Sequence, residues 1–95
     1  MPKAYWVAHV DVDDPDAYEE YKSANAVAFA KYGAKFIVRG GQQEIREGKN
    51  RNRTVVLEFE DYEIALACYN SPEYKKALAI RKDISKSDLV IVEGV

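Results

Sequence analysis

Short runs of β-branched and aromatic residues predict four strands, at residues 4–12, 34–39, 53–59 and 88–93. Side chains alternate along a strand, so Trp6 and Ala8 share one face of the first strand, while Tyr5 and Val7 share the other. Both faces therefore carry apolar surface, and the last strand repeats this pattern. A sheet covered on one face only would alternate more cleanly, which indicates that both faces are covered.

Helical spacing and capping residues predict the remaining elements. The first helix begins with Asp14 as N-cap and Pro15 in its first turn, and its tyrosines recur at helical spacing. Gly33 is the expected stop. Asp61 caps a second helix, and a third follows Ser71 and runs to about residue 82.

The order of elements is β-α-β-β-α-β if the two short helices count as one segment, and this is the ferredoxin-like arrangement. It predicts an α+β fold with a four-stranded antiparallel sheet in the order 4-1-3-2 and helices on one face. The apolar second face is then best covered by another copy of the chain, so we expect a homodimer. The 95 residues fit a single domain spanning 1–95.

Composition narrows the function classes. The chain is 47% hydrophobic and 32% charged with a net charge of −2, so it lacks the basic footprint of proteins that bind nucleic acid or anionic membranes. The third strand, RTVVLEF, also lacks the aromatic run of RNA-binding modules with this fold. Because Cys68 is the single cysteine and no signal peptide or membrane span is evident, a cytoplasmic location is expected.

The hairpin of strands two and three holds the main candidate site. Arg39 ends one strand and Arg53 begins its partner, so pairing should bring the two guanidinium groups to one end of the sheet, under the 40–52 loop. Two neighbouring guanidinium groups require a negative partner. That partner is either an internal carboxylate, Glu47 or Glu58, or the anionic group of a ligand. Two glycines follow Arg39 directly, Gly40 and Gly41. Glycine can turn sharply without strain, so this turn would leave their backbone amides free for the same ligand.

Acid–base chemistry has few candidates. His9 is the only histidine, and a packed structural histidine is the alternative to catalysis. Tyr18, at the start of the first helix, is the other weak catalytic candidate. One histidine and one distant cysteine make no metal site, and no nucleotide-binding or nucleophile motif is present, so neither a metal nor a cofactor is expected.

Motifs spread over nearly the whole chain resemble one protein family, the domain of unknown function 1330. The matching features are Tyr18-x-x-Tyr21, Tyr32-Gly33, Arg39-Gly40-Gly41, Glu47-Gly48, Arg53-Thr54-Val55-Val56, Glu58-Phe59, Ser71-Pro72-Glu73-Tyr74 and Arg81. The resemblance implies a dimeric α/β barrel, in which two ferredoxin-like sheets pack face to face and each subunit holds a pocket between sheet and helices. That superfamily includes cofactor-independent monooxygenases, small isomerases and haem-degrading enzymes, but the resemblance implies no catalytic role because the family has no settled activity.

Two functions remain open. The first is a dimeric protein that binds a small acidic or aromatic metabolite through Tyr18, Tyr21, Arg39, Gly40, Gly41, Arg53, Tyr74 and Arg81. The alternative is a small cofactor-independent enzyme, of monooxygenase or isomerase type, in which arginines hold a carboxylate or enolate and a tyrosine or His9 moves a proton. An unfilled or salt-bridged cleft would favour the binding protein, whereas a buried cavity with an unpaired arginine would favour the enzyme.

Overall fold

A computed structural model describes residues 2–95, which form a four-stranded antiparallel sheet with three helices packed on one face. The elements are β1 (Ala4–Val12), α1 (Pro15–Tyr32), β2 (Lys35–Arg39), β3 (Arg53–Phe59), α2 (Tyr62–Asn70), α3 (Pro72–Arg81) and β4 (Ser85–Glu93). The strand order is β2-β3-β1-β4, which is the predicted 4-1-3-2 order read from the other edge. The predicted ferredoxin-like α+β fold is confirmed.

β4 is longer than its apolar pattern predicted, because it begins at Ser85 rather than at residue 88. The three additional residues are polar or charged, so they carry no strand signal of their own. They extend the strand because β1 offers them pairing partners, with Ser85 opposite Val12 and Ser87 opposite Val10. Pairing with β1 thus sets the start of β4, although the local sequence does not favour a strand there.

α1 has the predicted ends. The carboxylate of Asp14 accepts a hydrogen bond from the backbone N–H of Ala17 at 3.1 Å. Gly33 follows the last turn with φ 68°, and its N–H donates to the carbonyl of Phe29. The left-handed conformation at this position suits glycine, which has no Cβ to clash with its own backbone.

Ser71 joins α2 to α3. Its hydroxyl accepts from the N–H of Tyr74 at 3.1 Å and donates to the carbonyl of Cys68 at 2.6 Å. The same side chain therefore caps the beginning of one helix and the end of the other, which fixes the angle between them. The predicted cap of α2 is also present, since Asp61 accepts from the N–H of Ile64 at 2.8 Å.

Trp6 lies at the centre of the core and is 1% exposed. Four aromatic rings surround it with centroids 4.9–5.6 Å from its own: Phe29, Phe59, Tyr69 and Tyr74. Its indole N–H donates to the carbonyl of Ala65 at 2.9 Å. Because these partners lie on all three helices and on β3, one side chain of β1 connects both layers of the fold.

β2 contains a bulge that changes the direction of its last side chain. Phe36 pairs with Leu57 and Arg39 pairs with Val55, with a register shift between residues 36 and 38. Strict alternation would place Phe36 and Arg39 on opposite faces, but the extra residue brings both to the helix side. The Arg39 guanidinium accordingly lies 4.3 Å from the centre of the Phe36 ring.

The sheet face turned away from the helices, here called the open face, is apolar as expected. Tyr5 and Val7 of β1 and Val56 of β3 lie on it, beside Val90 and Val92 of β4. Val90 is 55% exposed and Val92 is 44% exposed. Such a continuous apolar strip on a sheet surface is typical of an interaction site.

Within residues 2–95, the helices are all too short or too polar to cross a membrane.

Replacing Gly33 with Ala should lower the free energy of unfolding by about 1 kcal/mol or more, because a non-glycine residue is strained at φ 68°. Open space surrounds this position, so the loss would report backbone strain and not a steric clash. Gly41→Ala is the matched control, since Gly41 also has open space around it but no positive φ. Urea denaturation measures both, and equal stabilities for the two variants would contradict the prediction.

Candidate functional site

A cavity of about 40 Å³ lies between the helix-facing side of the sheet and α1. All four strands, α1 and the end of α3 contribute to it. Its basic lining residues are Lys22, Arg39, Arg53 and Arg81, and its neutral polar lining residues are Tyr18, Tyr21, Asn25 and Ser87. Among residues 2–95, no acidic residue and no histidine lines the cavity. Its walls therefore offer many hydrogen-bond donors and positive charge, without a compensating carboxylate.

Arg53 enters the cavity from the first position of β3, opposite the buried Val10. Its guanidinium lies directly against Gly40, where a Cβ atom would come within 2.7 Å of Arg53 Cζ. Gly40 also has φ 68°, and its N–H donates to the carbonyl of Thr54 at 2.9 Å. Glycine at this position thus both permits the turn out of β2 and makes room for the guanidinium.

Among residues 2–95, Arg53 has no acidic partner. Its Nε atom is buried and makes no hydrogen bond within this range, although the residue as a whole is only partly buried. None of the ion pairs in this part of the chain involves Arg53. A guanidinium nitrogen that is buried without a partner loses hydration without recovering it, so this arrangement favours a bound anion.

Arg81, at the end of α3, is buried more completely than Arg53 and is 8% exposed. It donates through Nη1 to the hydroxyl of Ser87, and its guanidinium lies 5.6 Å from the centre of the Tyr21 ring. Its Nε atom is also buried without a hydrogen-bond partner among the described residues. Arg53 and Arg81 therefore give the cavity two guanidinium groups with donor capacity unused by the chain.

The tyrosines of the cavity are hydrogen-bond donors. The hydroxyl groups of Tyr21 and Tyr74 are 2.9 Å apart, and the rings of Tyr18 and Tyr21 are 5.1 Å apart. Burial raises the pKa of both Tyr18 and Tyr74 above the ordinary tyrosine value, although arginines nearby act in the opposite direction. The neutral phenols of Tyr18 and Tyr74 are therefore favoured further, and the Tyr18 hydroxyl, which lines the cavity, can donate to an anion.

The structure brings together most of the residues that the sequence indicated. The predicted residues that line the cavity are Tyr18, Tyr21, Arg39, Arg53 and Arg81. Gly40 lies against Arg53, and Tyr74 lies behind Tyr21, to which it is hydrogen-bonded. Gly41 is exposed and faces open space, so the structure gives it no place in the cavity.

His9 is not part of the cavity. It lies on the open face of β1, where its Nδ1 is 3.1 Å from the Thr54 hydroxyl. The Thr54 hydroxyl in turn donates to Oε1 of Gln43. The sequence placed His9 at the correct end of the sheet, but the alternation of β1 directs it to the face opposite Arg53.

No internal carboxylate bridges Arg39 and Arg53 in the described part of the chain. Glu58 lies 3.7 Å from Lys3, and Glu47 takes part in no ion pair there. The internal-carboxylate alternative is therefore not what the structure contains.

The 40–52 loop is anchored away from the cavity. Arg51 donates to Asp11 and to Asp88, at 3.0 Å in each case, and the N–H of Asn52 donates to Asp11 at 2.9 Å. The hydrogen bond from Asn52 and the Arg51 charge lower the pKa of Asp11 below its ordinary value. Since Asp11 and Asp88 belong to the open face, the end of the loop is held on that side of the sheet.

Sequence reasoning missed several lining residues. Asn25 is 6% exposed and faces inward, one turn beyond Tyr21, and this i+4 spacing could have identified it. Lys22 also borders the cavity. Ser87 lies in the part of β4 that was not predicted, and Phe36 reaches the helix side through its pairing with Leu57.

Comparison with known proteins identifies a family and a fold. A family model described as "Domain of unknown function (DUF1330)" matches residues 3–95. No curated protein sequence matches the chain. Similar solved structures all have low sequence identity, so they bear on the fold alone.

Three of these structures illustrate the range. A protein of unknown function from Rhodopseudomonas palustris is 16% identical, with a TM-score of 0.75, and the match covers 99% of this chain and 83% of the other. SnoaB, a cofactor-independent oxygenase from Streptomyces nogalater, is 15% identical, with a TM-score of 0.66 and coverage of 100% and 95%. A dimeric ferredoxin-like protein of unknown function from Thermobifida fusca is 17% identical, with a TM-score of 0.66 and coverage of 98% and 92%.

Replacing either Tyr21 or Tyr74 with Phe should lower the free energy of unfolding by about 1–3 kcal/mol, because the remaining buried hydroxyl loses its partner. The double variant should lose less than the sum of the two single losses. Urea denaturation of the four proteins in this cycle measures the coupling. Strict additivity would indicate that the two hydroxyl groups do not depend on each other.

Proposed function

We propose that this chain, which belongs to the DUF1330 family, is a homodimer that binds a small acidic metabolite in the cavity between α1 and the sheet. The observation that carries the proposal is a pair of arginines in the cavity, the partly buried Arg53 and the buried Arg81. Each has a buried Nε atom without a hydrogen-bond partner among residues 2–95, and neither forms an ion pair there.

A carboxylate is the ligand group that best completes this arrangement. Each carboxylate oxygen accepts hydrogen bonds along the directions in which a guanidinium donates, so one carboxylate can use Arg53 and Arg81 together. The protonated phenol of Tyr18 adds another donor to the same cavity. The volume of about 40 Å³ suits a small ligand.

An enzyme that stabilises an enolate is the second candidate. The unpaired arginines of a buried cavity meet the condition that favours catalysis, and SnoaB, which has a similar fold, is a cofactor-independent oxygenase. However, an isomerase or oxygenase of this kind also needs a base to remove a proton. Among residues 2–95, the cavity lining contains neither a carboxylate nor a histidine, and burial raises the pKa of the Tyr18 phenol, which disfavours the phenolate that could act as a base. Ligand binding without proton transfer is therefore the better supported function.

The homodimer forms through the open face in this proposal. The exposed valines Val90 and Val92 lie beside Val7 and Tyr5 on that face. Dimeric ferredoxin-like proteins from Thermobifida fusca and Bacteroides fragilis are among the similar structures. The cavity lies on the helix side of the sheet, so dimerisation through the open face would leave it accessible.

Replacing Arg53 with Gln should lower the affinity for small carboxylates by about 10- to 100-fold, since a hydrogen bond to a charged group contributes about 1.5–3 kcal/mol. The measurement is a thermal-shift screen of carboxylates such as acetate, 2-oxobutyrate and benzoate, followed by calorimetry of those that stabilise the protein.

Arg46→Gln is the matched control for this experiment. It removes the same charge from an 81% exposed side chain whose ion-pair partner is Glu44 in the loop. Its affinity should equal that of the unmodified protein. Equal losses in Arg46→Gln and Arg53→Gln would mean that net charge alone attracts the anion, and the proposed site would then be wrong.

Replacing Val90 with Glu should convert the dimer to a monomer at micromolar concentration, because it places a charge in the apolar centre of the open face. Val27→Glu is the control, since Val27 is 61% exposed on the outer side of α1. Sedimentation velocity should show a dimer for this control. A monomeric unmodified protein would remove the dimer from the proposal.

A further inference from the structure

We propose, resting on the function above, that the ligand is a monocarboxylate with a flat apolar body, and that Ala8 sets the size of that body. The carboxylate lies at the Arg53 and Arg81 end of the cavity. The body lies over Ala8 and against the aromatic side chains at the other end.

On the helix-facing side of the sheet, residues paired across neighbouring strands form rows. The row at one end of the cavity carries polar side chains on both sides of a valine. Val10 of β1 lies between Arg53 of β3 and Ser87 of β4. The Ser87 hydroxyl accepts from Arg81. The guanidinium groups of Arg53 and Arg81, whose Nε atoms lack a partner within residues 2–95, thus belong to the same end of the cavity.

The row farthest from the arginines is aromatic and aliphatic. Trp6 of β1 pairs with Leu57 of β3, which in turn pairs with Phe36 of β2. Phe29 of α1 covers this row, with its ring 5.4 Å from that of Trp6 and 5.6 Å from that of Phe36, both edge to face. The indole N–H of Trp6 is already bonded to the carbonyl of Ala65, so this end offers no free donor from that ring. A second carboxylate placed here would be desolvated without a partner, whereas a planar ring would be favoured.

Ala8 forms the floor between these two ends. It pairs with Val55 on one side and Leu89 on the other, and its larger neighbours on the same face of β1 are Trp6 and Val10. Both of those neighbours are buried, whereas Ala8 is only partly buried. The cavity exists at this point because alanine is smaller than the residues around it, so each added methyl group here would remove space from the ligand.

The outer wall can give further room. Phe36 is 36% exposed, and Arg39, stacked on its ring, lies on the edge strand β2, whose five residues are all exposed. Rotation of these two side chains would widen the cavity beyond about 40 Å³ on its exposed side. The ring of a benzoate ion could then be accommodated with its carboxylate still at Arg53.

Calorimetry with acetate, benzoate and succinate tests the inference on the unmodified protein. Benzoate should bind about tenfold or more tightly than acetate, because its ring is buried against apolar walls. Equal affinities for benzoate and acetate, or a preference for succinate, would overturn it.

Ala8→Val tests the role of the floor. It should weaken benzoate binding by about tenfold and leave acetate binding within about threefold. Ala26→Val, at an exposed position of α1, is the control and should change neither affinity. Leu89→Ala provides a second variant if Ala8→Val does not fold. It enlarges the same row, and should raise the affinity for 2-naphthoate relative to benzoate.

The variants distinguish the acid-binding function from the assignment of Ala8 as the residue that limits ligand size. If Arg53→Gln loses all carboxylates but Ala8→Val and Leu89→Ala leave the selectivity unchanged, the acid-binding function holds and the assignment of Ala8 is wrong. If none of the three anions binds the unmodified protein, both are wrong.

Discussion

The burial of Trp6 is the interaction on which the rest of the fold depends. Its ring contacts aromatic side chains of all three helices and of β3, and its N–H is bonded to α2. This packing fills one half of the space between the layers. The other half begins at Ala8, where the aromatic core ends and the arginines enter. The tightly packed half of this space thus sets the distance between α1 and the sheet, and that distance keeps the other half open.

The sequence predicted the fold well because its signals are local and agree with one another. Caps at Asp14, Asp61 and Ser71, and the stop at Gly33, place the helices within a residue or so. Apolar patterning on both faces of β1 then leaves few topologies. The start of β4 was not predictable in this way, because polar residues extend that strand only where another strand pairs with them.

The candidate site was predicted in its residue types but not in its geometry. Pairing placed Arg39 and Arg53 at one end of the sheet, and both line the cavity. Alternation along β1 does place His9 on the face opposite Trp6, although His9 shares the arginine end of the sheet. The face of Arg39 could not be obtained in this way, because Arg39 reaches the helix side through a bulge without a sequence signature. The position of a residue along its strand indicates which end of the sheet it occupies. It indicates the face less reliably, because one extra residue in the strand moves every following side chain to the other face.

The bulge in β2 has a consequence for how this chain can change by insertion and deletion. In β1 and β3, neighbouring residues serve different surfaces, since Val55 lines the cavity while Thr54 and Val56 lie on the open face. A one-residue deletion in either strand would exchange the two surfaces. In β2 the sheet already contains an additional residue, and losing it would restore regular alternation there. Such a deletion would keep the strand, and it would leave Phe36 and Arg39 two positions apart, so both would stay on the helix side. The loss of one residue at this position would therefore preserve both the fold and the charge of the cavity, whereas the same loss in β1 or β3 would not.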